Sequence, residues 1–267
     1  MNALHLLWRY LGVSVRAQLQ YPVSAVMLNV AQFFITIIDV LAIAALFARF
    51  GRVQGWRFGE VVFFYGVVSL GFAIADFLTR GFDVFGTEFV RTGAFDRLLL
   101  RPRSLALQLV GHDFRLSRFG RAAQAVAALV IATYALHFDW TAGRLALTAW
   151  AVAGGAGLFC GLFVLQATLA FWTVESLEVA NVLTYGGVQA AQFPLTIYAA
   201  WFRDFLIFVV PLGCVAYYPV VAILGRTDPL GAPAWFLPLA PAAGFAFLGA
   251  SFIAWRFGVR RYTSTGS

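Results

Sequence analysis

Long apolar runs separated by short polar breaks dominate the chain, and most runs have the length of a membrane-crossing helix. They fall at about 24–48, 60–78, 122–136, 144–171 and 235–257. An α-helix rises about 1.5 Å per residue, so roughly 20 apolar residues cross a hydrocarbon core. The 122–136 run is short unless the helix before it continues into it. The first residues follow a different rule. Leu4, Leu7, Trp8, Leu11, Val15 and Leu19 share one helical face, while Arg9 and Arg16 share another. This predicts an amphipathic helix over 3–20 lying in the membrane interface. No small-residue cleavage site follows it, so it does not read as a removable signal peptide. Tyr21-Pro22 then turns the chain into the bilayer.

Two further apolar stretches, 177–193 and 201–224, precede the last run. Counting both as crossings gives seven spans and places Arg256, Arg260 and Arg261 outside. With six spans both termini are cytoplasmic, and the arginines divide into 13 inside and 6 outside. The positive-inside rule favours six, so one stretch is re-entrant or interfacial. Seven of the nine prolines lie from Pro194 onward, with Pro211 and Pro219 inside the second stretch. Irregular backbone at membrane depth survives only where protein or a cavity shelters it, so the second stretch is the re-entrant one. The expected fold is all-α and polytopic, one transmembrane domain over residues 1–267.

The longest polar break, 80–121, changes the picture from topology to function. It carries eight arginines, including Arg80, Arg91, Arg97, Arg101 and Arg103, against Asp83, Glu88, Asp96 and Asp113. A basic segment of this kind stays on the cytoplasmic side, where it is placed to meet a soluble partner.

Composition narrows the function classes. The chain is 61% hydrophobic and 12% charged, too apolar for a soluble domain of 267 residues. All 19 basic residues are arginine, so the lysine of a phosphate-binding loop and Schiff-base chemistry are both excluded. The arginines are dispersed between spans, which reads as topology and not as nucleic-acid binding. Cys160 and Cys214 lie in apolar stretches without CxxC spacing and read as buried free thiols. His5, His112 and His137 lack ligand spacing, and no metal is assigned. In the small-residue run of the fourth span, Gly157 and Gly161 allow close helix approach, within the subunit or between subunits.

Acids in or near spans are functional candidates, because an unpaired charge there is costly. For Asp39 a place on a substrate path and a structural ion pair are both open. Asp76, Glu175 and Glu178 lie nearer the inner surface, where loop arginines can pair with them. Glu178 and Asn181, three apart, share a helical face. Asp39, Glu175, Glu178 and Asn181 form the candidate path set.

The wording Gly93-x-Phe95-Asp96-x-Leu98-Leu99-x-Arg101-Pro102-x-Ser104 is more specific than architecture. It is followed by Phe193-Pro194-Leu-x-Ile197-Tyr198, Val210-Pro211, Tyr217-Tyr-Pro219 and Leu224-Gly225-Arg226. Over nearly its full length the chain resembles a permease subunit of a type-2 ATP-binding-cassette exporter. The bacterial subgroup it resembles commonly pairs one ATPase with two related permeases.

The resemblance implies an inner-membrane protein with six spans, an external hairpin over 194–226, and a cytoplasmic coupling helix within 80–121. In that helix Phe95, Leu98 and Leu99 form an apolar knob. Asp96, Arg97 and Arg101 form its charged rim, and Pro102 stops it. The implied partners are two ATPase subunits and a second permease, with a heterodimer favoured. No cofactor is expected on this chain; ATP and magnesium belong to the ATPase. An ion-gradient-driven secondary transporter or channel is the alternative, and it needs polar groups gathered near the midplane.

Overall fold

The helix Phe58–Asp83 (α2) is the axis on which the others are hung. It is the most completely buried long helix, with Phe63, Phe64, Val62 and Ala75 fully enclosed. The computed structural model describes residues 22–102, 104–110, 118–173 and 181–262. Before α2 comes Pro22–Phe50 (α1), which at 29 residues is about 43 Å long. After it come the short helices Ala94–Leu99 (α3) and Leu105–Val110 (α4), then Arg118–Leu136 (α5) and Ala142–Leu169 (α6). Next are Gly187–Ala191 (α7), Ala200–Asp204 (α8), Leu212–Val215 (α9) and Tyr217–Ile223 (α10). Phe236–Leu239 (α11) and Ala242–Arg261 (α12) close the series. Among the described residues there is no strand, only an isolated bridge between Val53 and Trp56.

Among the described residues, four runs are long and apolar enough to cross a bilayer by length and composition: Phe58–Val90, Arg118–Leu136, Ala142–Leu169 and Phe236–Arg261. A fifth results if Ala200–Val209 and Leu212–Ile223 are taken as one broken element, bent by 76°. The break falls at Pro211, whose ring blocks the helix from continuing. This is the irregular stretch expected from its prolines.

Missing side chains let the helices meet. A Cβ on Gly71 of α2 would lie 3.2 Å from the backbone of Val152 and Ala156 on α6. A Cβ on Gly244 of α12 would collide with the Gly154 carbonyl of α6. Gly157 and Gly161 face Gly244, Phe247 and Ser251, so the small-residue seam serves α6 against α12 inside the subunit.

The second span does not stop at Leu78. A non-helical residue, Thr79 (φ −121°, ψ 21°), marks a kink. The helix then runs to Asp83 and on as a π-helical turn, Phe85–Val90. Phe82, Phe85, Phe89 and Val90 recur at helical spacing and are buried, which is why the chain stays helical past its charges. The first eleven residues of the expected 80–121 loop therefore extend the span. The expected interfacial helix over 3–20, Arg103, Glu175 and Glu178 lie outside the described residues.

Candidate functional site

At the end of the bundle expected to face the cytoplasm, the inner end, Gly93 takes a left-handed φ of 67° and starts α3. Phe95 follows and is fully buried. Its ring packs 5.0 Å from Phe85, 5.6 Å from Phe171 and 4.8 Å from Tyr262. Trp255 of α12 lies 5.0 Å from Phe85 and 5.2 Å from Phe171, which completes an aromatic hub. Phe95 is thus not part of an outward knob; it anchors α3 to the ends of α2, α6 and α12. Leu98 is buried beside it.

The outward apolar pair is Leu99, 45% exposed, and Leu100, 85% exposed. Arg91, Arg97, Arg101 and Pro102 are exposed around them, and Asp96 is half-buried. Helix α3 ends at Leu99, three residues before Pro102, because the position preceding a proline disfavours the α conformation. Gln108 of α4 donates from Nε2 to the Leu98 carbonyl at 3.4 Å, so α4 braces α3.

Above the hub the charges are paired. Arg121 Nη1 lies 3.2 Å from Asp76 Oδ2, and Arg118 Nη1 donates to the Asp76 carbonyl at 3.0 Å. Asp76 was expected to meet loop arginines and does so. Asp83 is bound by Arg80, by the Tyr185 hydroxyl at 3.1 Å and by Gln166 Nε2 at 3.1 Å. The same Gln166 amide donates to Asn181 Oδ1 at 3.1 Å, and Thr184 donates to Gln166 Oε1 at 3.3 Å. Asn181 is therefore a structural tie between α6 and the segment leading into α7.

Between the two ends of the bundle a polar cavity of about 220 Å³ opens among α1, α2, α5 and α7. Asp39 reaches it from α1, exposed, with the Tyr65 hydroxyl 3.4 Å from its Oδ2. Ser69 on α2 accepts a hydrogen bond from Gln192 Nε2 at 3.1 Å. Arg121, Gln124, Tyr185 and Gln189 line the remainder. Of the two described candidate path residues, Asp39 faces this space and Asn181 does not line it.

Sequence reasoning passed over Tyr65, Ser69, Gln124, Gln189 and Gln192. Their signal was periodicity. Tyr65, Ser69, Phe72 and Asp76 are spaced 4, 3 and 4, and Asn181, Tyr185, Gln189 and Gln192 are spaced 4, 4 and 3. Each set traces one stripe of a helix.

The opposite end, expected to be the outer one, is tied by directional bonds. Arg226, beyond α10, reaches Glu60 at the start of α2 (2.9 Å) and the Gly55 carbonyl (3.2 Å). Its guanidinium lies 4.3 Å over the Trp56 ring. Trp56 Nε1 donates to Thr196 at 2.8 Å. Tyr217 donates to Asp228 at 2.8 Å, and Asp228 accepts from the backbone amides of Leu230 and Ala232. Together these lash the α1–α2 turn to the proline-rich segment.

Cys160 and Cys214 are buried free thiols, as expected. Among the described residues no three metal-binding side chains converge.

Comparison with known proteins gave one family. No curated protein and no solved structure matched. The family model described as "ABC-2 family transporter protein" matches residues 33–266. That match covers the axis, the polar cavity and both ends of the bundle, and the chain belongs to the ABC-2 family of transporter proteins.

Proposed function

We propose that this chain is the permease subunit of an ATP-driven exporter, and that its polar face forms half of the translocation path. The observation that carries this reading is the cavity between α1, α2, α5 and α7. Asp39, Tyr65, Ser69, Gln124, Gln189 and Gln192 converge there, on elements otherwise made mostly of apolar residues. Such groups are costly against lipid, so the face is turned toward water or another protein. A second permease, a related chain by the sequence resemblance, would close the other side. In this topology six spans place both termini and α3 in the bacterial cytoplasm, with the broken 194–226 segment re-entrant at the outside.

Coupling to the ATPase would use the outward surface of α3. Leu99 and Leu100 offer the apolar contact, and Arg97 and Arg101 the charged rim. A push on α3 reaches Phe95, and through the hub it reaches the inner ends of α2, α6 and α12 together. ATP and magnesium would be held by the ATPase.

The test is co-purification of the complex carrying Leu99→Asp and Leu100→Asp. Both residues are exposed, so the chain should stay folded within about 0.5 kcal/mol. The expected result is loss of the ATPase from the purified complex and loss of ATP-dependent transport. Undiminished association would remove α3 as the docking element, and solute transport by the chain alone would overturn the reading as a whole.

A further inference from the structure

On the side of α2 turned away from the polar cavity lies an apolar groove of about 700 Å³. That is within the roughly 300–1,000 Å³ of pockets that hold a small molecule. Tyr65, Ser69 and Phe72 of α2 face the cavity, and Leu70, Ile74 and Leu78 face the groove. At 3.6 residues per turn the two stripes are roughly 170° apart. Ile74 and Leu78 are exposed to the groove, although most of α2 is enclosed. Leu129 of α5, Ala149 and Ala153 of α6, and Phe245 and Leu248 of α12 line its sides.

Each polar side chain lining the groove is already committed. Thr148 donates to the Arg144 carbonyl at 2.8 Å, and Trp140 Nε1 donates to Thr133 at 3.3 Å. The Cys160 thiol is hydrogen-bonded with Thr79. An occupant therefore meets hydrocarbon alone. From Leu145 to Cys160 the groove follows α6 for about 22 Å, more than half of a hydrocarbon core of roughly 30 Å. One acyl chain of one leaflet fits along it.

A cation stands at the mouth, beside Trp140 and Leu145. The Arg144 guanidinium sits 4.6 Å over the Phe138 ring, which lies 5.1 Å from Trp140. Its Nη1 donates to the Asp139 carbonyl at 2.8 Å, which fixes the side chain and leaves its other N–H groups for an anion. Among the described residues Arg144 makes no ion pair. We propose that the groove binds one phospholipid, with an acyl chain along α2 and α6 and its phosphodiester on Arg144. In the expected topology this is a lipid of the outer leaflet. The choice of lipid over protein rests on the reading that a second permease closes the polar face, on the far side of α2.

Native mass spectrometry of the transporter in mild detergent, titrated with palmitoyl-oleoyl-phosphatidylglycerol, tests this. The expected result is one tightly retained phospholipid per chain. Ala149→Trp fills the groove from an exposed position, where folding is not at risk, and should weaken retention about tenfold. Arg144→Gln should also weaken it about tenfold, and Arg144→Lys should recover part of that loss because it keeps the charge. Palmitoyl-oleoyl-glycerol, which has the chains without the phosphate, should bind about tenfold more weakly. Gly249→Phe, exposed on α12 outside the groove, should change nothing. Retention unchanged by Ala149→Trp would overturn the proposal. Retention lost in Ala149→Trp but unchanged in Arg144→Gln would overturn it in favour of a purely apolar ligand.

A parallel measurement keeps the two readings apart. Ala149→Cys or Asp39→Cys, each in a Cys160→Ala, Cys214→Ala background, is labelled with benzophenone maleimide and photolysed in the membrane. The expected result is a cross-link to the second permease from position 39 and a lipid adduct from position 149. A protein cross-link from position 149 would make the groove a protein interface and sink this inference. Loss of the cross-link from position 39, with the phospholipid still retained, would sink the path reading alone.

Discussion

The two ends of the bundle are held by opposite means. The inner end is a cluster of rings, Phe85, Phe95, Phe171, Trp255 and Tyr262, joined by area and shape. The outer end is a set of aimed bonds, Arg226 to Glu60 and Gly55, Trp56 to Thr196, Tyr217 to Asp228. Ring packing is short-ranged but weakly directional, so a cluster can tilt as a body and keep most of its contact. An aimed bond is lost over a fraction of an ångström. The inner end is therefore suited to carry a displacement, and the outer end to hold or release.

The largest expected effect comes from breaking the ring cluster. Phe85→Ala or Phe95→Ala empties a fully buried site, and such truncations cost about 3–5 kcal/mol. Denaturant titration of the purified chain should show that loss for either variant. Phe95→Leu keeps the volume better and should lose less than half as much. Equal losses for Phe95→Ala and Phe95→Leu would mean that ring geometry, and not filled volume, holds α3.

Between the ends lies a seam that should not move. Gly244 on α12 and Gly154 on α6 approach until a Cβ on Gly244 would strike the Gly154 carbonyl. Backbone cannot swing aside as a side chain can, so Gly244→Val must separate the helices. Overpacking of this kind costs about 1–3 kcal/mol. The check is thermal unfolding beside Gly249→Val on the same helix, where nothing stands within 4 Å. The first should lower Tm and the second should leave it close to unchanged.

The outer lash is expected to contribute less. Arg226 is about a third exposed, so its pair with Glu60 is screened and is worth about 1 kcal/mol or less. Its position over Trp56 adds about 0.5–1 kcal/mol. Arg226→Gln should thus destabilise the chain by about 1–2 kcal/mol. In the complete transporter it should raise the basal outward-open population. A spin-label distance between the 51–57 turn and the 226–232 segment reports that opening, and an unchanged distribution would show that the lash does not hold the outer end.

How much of this was legible in the chain depends on how local each cause is. The spans are written in continuous apolar runs, and the break at Pro211 in a residue that cannot continue a helix. The cavity was legible too, as two polar stripes of period 3.6, but isolated glutamines draw less notice than an acid such as Asp39. The inner end was not legible. Arg80 and Asp83 read as the start of a loop, yet they lie on a helix, where Asp83 is met by Gln166 and Tyr185 from distant parts of the sequence. Helix α3 has apolar residues on both sides, Phe95 and Leu98 on one and Leu99 and Leu100 on the other. Which side is internal is decided by Phe171, Trp255 and Tyr262, and spacing within a six-residue helix carries no trace of them.

The smallest effect is also the finest test of the contrast between ends. Trp56→Phe keeps a ring against Phe64 and Tyr217 and removes only the Nε1–H donated to Thr196. Thr196→Val removes the acceptor and keeps the shape. If the outer end depends on aimed bonds, each change should cost about 1 kcal/mol. The double variant should then cost little more than either alone, since both delete one bond. If the outer end were held by packing like the inner one, Trp56→Phe would cost in proportion to lost area, Thr196→Val would cost almost nothing, and the two would add. Denaturation midpoints of the four proteins in one detergent decide between these outcomes. A coupling of about 0.5–1.5 kcal/mol marks the directional lash, and a coupling near zero removes it.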